Sequence, residues 1–248
     1  MIGTSPVLVL DFDGVICDSI EECFASSWAA YHGLFLHDAP RAPTEKAARA
    51  AFARLRPFVR SGEDFVLIQR LVAGGVLPGT QAHFDEEARR EGSATMARFK
   101  NLFYEARASL LASDRHGWLQ MNLIYPHVAA AIAALPPAAP LHVLSTKRPP
   151  FIAEILAARG IALPQERIIH SAGEPKLAAV ERLRVLGGFD RAIFVEDQID
   201  AIRENANPRI MAYLATWGYV QPEWLRADVA LLTPDAFREL LARTWPRR

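Results

Sequence analysis

Two aspartates at the end of a short apolar run are the residues of this chain best placed to do chemistry. Asp11 and Asp13 follow the run from Val7 to Leu10, whose composition predicts a buried strand. Because alternate residues of a strand point to the same side, both carboxylates could converge where the strand ends. Such a pair repels itself unless a cation or a shared proton relieves it, and Mg²⁺ favours oxygen ligands. The spacing indicates an acidic metal site, with a plain Asp-Gly turn after an edge strand as the alternative.

A hydroxyl group and a lysine follow two later apolar runs. Ser145 and Thr146 could bind an anion through a hydroxyl and backbone N–H groups at a helix start, although helix capping is the ordinary use of such residues. Lys147 and Arg148 come next and could touch a substrate or be solvated charges. Lys176 begins a helical pattern after a glycine loop, where most lysines are solvated.

A second acidic pair follows a fourth apolar run. Glu196 and Asp197 repeat the arrangement of Asp11 and Asp13, and Asp200 lies three residues further on. Helix capping by Asp197 is the alternative interpretation. The order of acid pair, hydroxyl, lysine and acid pair at successive strand ends is much more specific than any of its members.

Short strands and helices must alternate if these groups are to meet. The pattern predicts strands at residues 6–10, 141–144, 167–170, 192–195 and 210–214, and helices at 127–135, 151–159, 177–186 and 199–205. Such alternation predicts an α/β fold, a Rossmann-like parallel sheet covered on both faces. Sheets of this kind bind ligands at the carboxyl ends of their strands, which is where the acid pairs are placed.

A long helical interval separates the first two of these strands. Helical patterns cover residues 20–31, 45–58, 64–72 and 84–111, with almost no strand-like alternation. We therefore expect a helical cap domain at 19–120, inserted into a core domain made of 1–18 and 121–248. Because the chain leaves the core just after the first acid pair, we expect the insertion to act as a lid.

The composition is that of an ordinary globular enzyme. The chain has 248 residues, of which 51% are hydrophobic, and this is enough for a sizeable core in one or two domains. Lysine plus arginine and aspartate plus glutamate number 28 each, so the net charge gives no reason to expect nucleic acid or membrane partners. We expect a small-molecule partner.

The cysteines and the apolar segments bear on location. Cys17 and Cys23 match neither a disulfide framework nor a zinc site, so we expect reduced thiols. The N-terminus lacks the basic region of a signal peptide, and prolines and His142 interrupt the apolar stretch from Val128 to Leu144. We expect a cytoplasmic location by default.

The ordered set of motifs resembles the haloacid dehalogenase-like (HAD) hydrolase superfamily. Asp11-Phe12-Asp13-Gly14-Val15 fits the first motif of that family, and the insertion sits where members carry a helical cap. Ser145 fits the second motif, Lys176 the third, and Glu196-Asp197 the acidic fourth. The branch it most resembles contains phosphoglycolate phosphatases and β-phosphoglucomutase.

The resemblance implies a phosphatase mechanism. Asp11 would attack phosphorus and form an aspartyl-phosphate, and Asp13 would act as general acid and then as general base. Mg²⁺ would be held by the carboxylates of Asp11 and Asp197 and by the backbone carbonyl of Asp13. Ser145, with Thr146 beside it, and Lys176 would hold the phosphoryl oxygens of a small phosphorylated metabolite.

One departure from the family pattern leaves two acids, Glu196 and Asp200, as candidates for the outer metal ligand. Many members have glycine before the aspartate of the fourth motif and another acid four residues after it. Here Glu196 precedes Asp197, residue 201 is alanine, and Asp200 falls at a spacing of three.

Several functions remain open at the level of sequence. An acid at the Asp13 position argues for phosphoryl transfer rather than dehalogenation, and phosphatase is preferred over a phosphomutase of the β-phosphoglucomutase kind. Two alternatives are not enzymes: a receiver-like signalling module, and a non-catalytic member of the family that binds phosphate. Cap residues Arg56, Arg60, Arg70 and Lys100 are candidate anion contacts, with solvated helix charges as the alternative.

Overall fold

The computed structural model describes residues 6–35 and 44–246, with the side chains of residues 34 and 35 left out; residues 1–5, where no secretion signal is expected, lie outside these ranges. The strands are β1 (Val7–Leu10), β2 (Cys17–Asp18), β3 (Leu123–Ile124), β4 (Leu141–Ser145), β5 (Ile168–His170), β6 (Ala192–Glu196), β7 (Ile210–Ala215) and β8 (Leu231–Leu232). The helices are α1 (Ile20–Phe35), α2 (Glu45–Leu55), α3 (Gly62–Ala73), α4 (Gln81–Glu91), α5 (Ser93–Ser113), α6 (Arg115–Gln120), α7 (Pro126–Ala134), α8 (Pro149–Ala158), α9 (Lys176–Leu186) and α10 (Pro234–Thr244).

The chain divides into two compact units. One contains the residues up to Asp18 and those from Leu123 onward, and the other runs from Ser19 to Asn122. The first is an α/β unit and the second is entirely helical among its described residues. The chain re-enters the α/β unit at Leu123, two residues later than the expected re-entry at residue 121. Action of the helical unit as a lid stays a prediction.

A parallel sheet forms the centre of the α/β unit, as the strand pattern predicted. Its order is β5-β4-β1-β6-β7-β8, and every pairing in it is parallel. All four residues of β1 are fully buried, since helices cover both faces of such a sheet. Leu10 pairs with Val143 on one side and Val195 on the other. This register aligns the carboxyl ends of β1, β4 and β6.

Proline and glycine set the boundaries of the crossover helices. Pro126 and Pro149 each occupy the first position of a helix, where the missing N–H group costs nothing. Gly187 ends α9, and Gly188 follows with a positive φ. The helix α9 begins at Lys176, directly after the loop from β5. A crossover helix therefore starts at the edge of the sheet where the acid pairs lie.

Two predicted helices differ in the structure. The helix expected at 199–205 is only a 3₁₀ turn, Ile199–Ala201, because the side chains of Asn205 and Asn207 bond to nearby backbone groups and favour a loop. The single helix expected at 84–111 is two helices, α4 and α5. They are separated at Gly92, whose φ of 81° does not belong to a helix.

An aromatic core and a buried ion pair hold the helical unit together. The rings of Phe65 and Phe103 stack at 4.9 Å between α3 and α5. Arg107 of α5 donates two hydrogen bonds of 2.8 Å to the carboxylate of Glu22 in α1, and both side chains are almost wholly buried. The Ser26 hydroxyl donates a third, of 2.6 Å, to the same carboxylate. Charge pairing thus joins the first and the longest helix of this unit.

A two-stranded sheet lies at the chain positions where the α/β unit is left and re-entered. Its strands β2 and β3 are antiparallel, with Cys17 opposite Ile124. Among the described residues, no helix has both the length and the apolar character needed to cross a membrane. The stretch from Val128 to Leu144, for example, divides into α7, a loop and β4.

Candidate active site

The carboxyl edge of the sheet brings the sequence-predicted residues together. Asp11 follows β1 directly, Ser145 ends β4, Glu196 ends β6, and Asp197 follows it. These three strands are neighbours, with β1 in the middle. Lys176 reaches the same edge from the start of α9 and lies within ion-pair distance of two of these acids.

Three carboxylates form a buried acidic cluster. Asp11, Glu196 and Asp197 each place an oxygen within 4.8 Å of the others, and their exposed fractions are 5%, 0% and 4%. Hard divalent cations bind carboxylate oxygens in this way, and buried charges of one sign need such compensation. The donor set therefore fits Mg²⁺. Asp200 is exposed and lies outside this cluster, so the geometry favours Glu196 as the supporting acid.

Lys176 supplies a positive charge inside the cluster. Its Nζ lies 2.9 Å from Asp11 Oδ1 and 2.6 Å from Glu196 Oε2. Burial alone would lower the pKa of this ammonium group, but the two carboxylates outweigh burial and raise the pKa above its ordinary value. The two carboxylates therefore favour the charged form of this lysine beside Asp11.

Burial and repulsion between neighbouring acids raise the pKa values of Asp11 and Glu196. The pKa of Asp11 is raised to about 7, first by burial and then by the charge of Glu196, against the opposing effect of Lys176. Burial also raises the pKa of Glu196, to which the charge of Asp197 adds. One lysine does not balance three carboxylates, and a bound cation would favour their ionised forms.

Asp13 lies beside this cluster and is paired with Lys147, which the sequence left open between a substrate contact and a solvated charge. Lys147 Nζ lies 2.8 Å from Asp13 Oδ1, and the exposed fractions of the two side chains are 1% and 15%. The ammonium group also lies 5.2 Å from the centre of the Phe12 ring. Lys147 is thus neither a solvated charge nor an exposed contact, whereas Arg148 is exposed.

Ser145 and Thr146 occupy the turn between β4 and α8. Ser145 is buried, and its Oγ accepts a hydrogen bond of 3.2 Å from the backbone N–H of Lys147. That bond leaves the hydroxyl hydrogen available for an anion. Thr146 is half-buried. Its carbonyl oxygen lies 3.2 Å from His170 Nε2.

The loop after β7 holds Asp197 and was missed by the sequence reasoning. The backbone N–H of Tyr219 donates to Asp197 Oδ2 at 2.8 Å, and the Tyr219 hydroxyl donates to Asp18 at 2.7 Å. A Cβ on Gly218 would lie 2.4 Å from the Cβ of Asp197 and 2.6 Å from the carbonyl oxygen of Gly14. A Gly-Tyr pair just beyond a predicted strand was the available signal, but only the fold shows what it contacts.

Gly14 is required by its position in the first motif. Its φ is +90°, and a Cβ there would lie 1.9 Å from Asp197 Oδ2. A side chain at this position would displace the aspartate. The glycine therefore permits the close approach of the first and fourth motifs.

The four basic residues that the sequence offered as anion contacts have partners within the helical unit. Arg60 pairs with Asp85, Arg70 with Glu91, and Lys100 with Glu63; Arg56 is buried with its guanidinium over the Phe65 ring. These contacts are structural. A role for any of these residues in anion binding stays a prediction.

Comparisons with solved structures agree on the fold. No protein-family model and no curated protein matches the chain. Among solved structures, a predicted phosphoglycolate phosphatase from Haemophilus somnus 129PT matches with a TM-score of 0.61 and 18% identity over 98% of this chain and 100% of that one. A predicted phosphatase from Clostridium acetobutylicum matches with a TM-score of 0.58 and 14% identity over 97% and 100%.

A third similar structure carries the family name itself. This haloacid dehalogenase-like family hydrolase from Streptococcus pneumoniae has a TM-score of 0.56 and 15% identity over 98% of this chain and 99% of that one. At these identities the likeness concerns the fold. The resemblance drawn from the motifs is confirmed at that level: this chain has the fold of the haloacid dehalogenase-like hydrolases.

Proposed function

We propose that this protein is a Mg²⁺-dependent phosphatase of the haloacid dehalogenase-like superfamily, acting on a small phosphomonoester through an aspartyl-phosphate on Asp11. The observation that carries the proposal is the placement of Asp11. It is a buried carboxylate at the end of the central strand, 2.9 Å from the ammonium group of Lys176 and within a cluster of acids that fits a divalent cation. The similar solved structures named as phosphatases support the same reaction class.

In the first step, an oxygen of Asp11 forms a bond to phosphorus, and the bond from phosphorus to the ester oxygen breaks. The electron pair of that bond goes to the leaving oxygen, which takes a proton from the carboxyl group of Asp13. General acid catalysis of this kind contributes roughly 10² to 10⁴-fold in rate. Asp13 follows Asp11 by two residues and is partly exposed, so it can reach a bound ester.

In the second step, water attacks phosphorus and the bond to Asp11 breaks. Asp13, now a carboxylate, takes the proton from the attacking water, and inorganic phosphate leaves. The two half-reactions return both aspartates to their starting forms. Dividing the displacement in this way replaces one difficult step with two easier ones.

Positive charge and hydrogen bonds hold the phosphoryl group during both steps. Lys176 offsets negative charge beside Asp11, and the Ser145 hydroxyl, with Thr146 beside it, donates to phosphoryl oxygens. Asp11, Asp197 and the backbone carbonyl of Asp13 would hold Mg²⁺, with Glu196 supporting them. The ion, when bound, offsets the repulsion between the Asp11 carboxylate and the phosphate.

The substrate class is proposed as a small phosphorylated metabolite, and neither nucleic acid nor a membrane is proposed as a partner. The balanced net charge supports this choice. Phosphoglycolate is the first compound to test, because it appears in the name of a similar structure.

The test is release of phosphate from a panel of phosphomonoesters that includes phosphoglycolate and sugar phosphates. Wild type, Asp11→Asn and the control Asp190→Asn are compared with Mg²⁺ and with EDTA; Asp190 is a surface acid paired with Arg209. We expect metal-dependent release that Asp11→Asn abolishes and Asp190→Asn retains. Release by Asp11→Asn at the wild-type rate would refute the nucleophile, and no release from any ester would favour a mutase or a non-catalytic protein.

A further inference from the structure

Lys147 is a buried cation outside the four motif positions. Its side chain is 1% exposed, and transferring an ammonium group from water to such a place is costly unless an anion and hydrogen bonds compensate. The Asp13 carboxylate lies 2.8 Å away, and the face of the Phe12 ring lies 5.2 Å away. Asp13, which lies beside this buried charge, is the general acid of the proposed reaction when it carries its proton.

We propose that Lys147 is a positioning residue that orients the carboxyl group of Asp13 for proton transfer. The inference rests on the proposed function, since it concerns the group that protonates the leaving oxygen. Lys147 acts through Asp13 and not through the substrate.

The geometry fixes one oxygen of the Asp13 carboxyl group. Oδ1 of Asp13 accepts a hydrogen bond of 2.8 Å from Nζ of Lys147. The pair joins the turns that follow two neighbouring strands, β1 and β4. A short charge-assisted bond between these turns restricts the rotation of the Asp13 side chain.

The same contact assists the transfer itself. As Asp13 gives its proton to the leaving oxygen, the carboxylate that forms already lies beside a fixed ammonium group. A preorganised charge of this kind needs no reorganisation during the reaction. The benefit should therefore grow with the basicity of the leaving oxygen, because poor leaving groups depend most on the proton.

The first test compares kcat/KM for p-nitrophenyl phosphate, which has a good leaving group, with kcat/KM for the best alkyl phosphate of the panel. This constant covers the steps up to the aspartyl-phosphate and excludes attack by water. We expect Lys147→Met to lose about 10 to 100-fold more with the alkyl ester than with the aryl ester, a part of the range for general acid catalysis. Lys147→Arg keeps the charge, so its extra loss with the alkyl ester should be smaller than that of Lys147→Met.

Combining the substitution with one at Asp13 separates positioning from a general structural role. Asp13→Asn removes the transferable proton, so Lys147→Met should add no further discrimination between the two esters in that background. An equal loss for both esters in the single variant, or losses that multiply in the double variant, would overturn the proposal.

Crystal structures provide a readout that does not depend on turnover. In the wild type, we expect Lys147 Nζ within hydrogen-bond distance of Asp13, and in Lys147→Met we expect the Asp13 side chain to leave its wild-type orientation. An unchanged Asp13 orientation in the variant contradicts the proposal. If Lys147→Met does not fold, Lys147→Arg takes its place in both tests, with a displaced Asp13 and an alkyl-selective loss as the expected results. A wild type that releases no phosphate refutes the proposed function, while the crystal structures still decide the role of Lys147.

Discussion

Loss of the buried Arg107 charge should destabilise the helical unit far more than loss of an exposed arginine. Both oxygens of Glu22 accept bonds of 2.8 Å from the Arg107 guanidinium group, and Glu22 is fully buried. Replacing Arg107 with Met keeps an unbranched apolar side chain over the Phe103 ring, where the guanidinium carbon lies at 4.4 Å. What remains is a buried carboxylate that has lost the guanidinium charge, and breaking such a pair costs about 3–5 kcal/mol.

A second substitution separates the free-energy cost of breaking the ion pair from the cost of lost packing. In Glu22→Leu combined with Arg107→Met, both charges are absent, and apolar replacement of a buried pair is often neutral in free energy. We therefore expect the double variant to recover most of the stability lost in the single variant. Ser26 loses its acceptor in the double variant, so a residual cost of about 1 kcal/mol is expected.

The assay is urea unfolding of the full chain, followed by circular dichroism. The control is Arg90→Met, since Arg90 is an exposed arginine that also pairs with two glutamates. Exposed pairs contribute about 0–1 kcal/mol. Equal destabilisation by Arg107→Met and Arg90→Met would refute the reasoning, and so would a double variant no more stable than Arg107→Met.

Two further predictions concern single positions. Asp64 is buried at the start of α3, where its Oδ2 accepts from the backbone N–H groups of Arg60 and Ser61, and burial raises the pKa of its carboxyl group from 3.8 to about 6. Because the folded state favours the protonated form, this contribution to stability is present below pH 4 and is lost as the pH rises through 6; the shift corresponds to about 3 kcal/mol. Asp64→Asn should therefore gain about that much relative to wild type between pH 4 and pH 7 in urea unfolding, and a difference that does not vary with pH contradicts this. Gly14→Ala should abolish phosphatase activity, because the added Cβ would collide with Asp197 and because alanine disfavours the positive φ of this position. The equilibrium affinity for Mg²⁺ should fall as well. Wild-type activity together with wild-type Mg²⁺ affinity would contradict the role of this glycine.

The sheet and the motif positions could be predicted because buried parallel strands leave a clear pattern. The strand β1 is covered on both faces, so it reads as an uninterrupted apolar run, and the acids stand where that run stops. The carboxyl ends of parallel strands meet at one edge, which is why polar residues far apart in the sequence could be assigned to one place. The cluster of Asp11, Glu196 and Asp197 has the arrangement expected from this rule.

Other features could not be predicted because they depend on contacts between distant segments. The strands β2, β3 and β8 have two residues each, too few to show a period. Lys147 is indistinguishable from a solvated lysine until the fold places Asp13 beside it. The contact of Tyr219 with Asp197 joins the loops after two different strands, β7 and β6. The break at Gly92 was hidden because the helical pattern continues on both sides.

The central claim is that Asp11 becomes phosphorylated during turnover. The most direct measurement is rapid quenching of a reaction with the best ester of the panel, followed by mass spectrometry of the peptide that contains Asp11. Asp13→Asn with p-nitrophenyl phosphate serves beside the wild type, because that leaving group needs little help from the general acid, while loss of the general base should let the intermediate accumulate. We predict a mass gain of one phosphoryl group on Asp11 and no gain on that peptide in Asp11→Asn. Phosphate release by the wild type without any phosphorylation of Asp11 would contradict the mechanism.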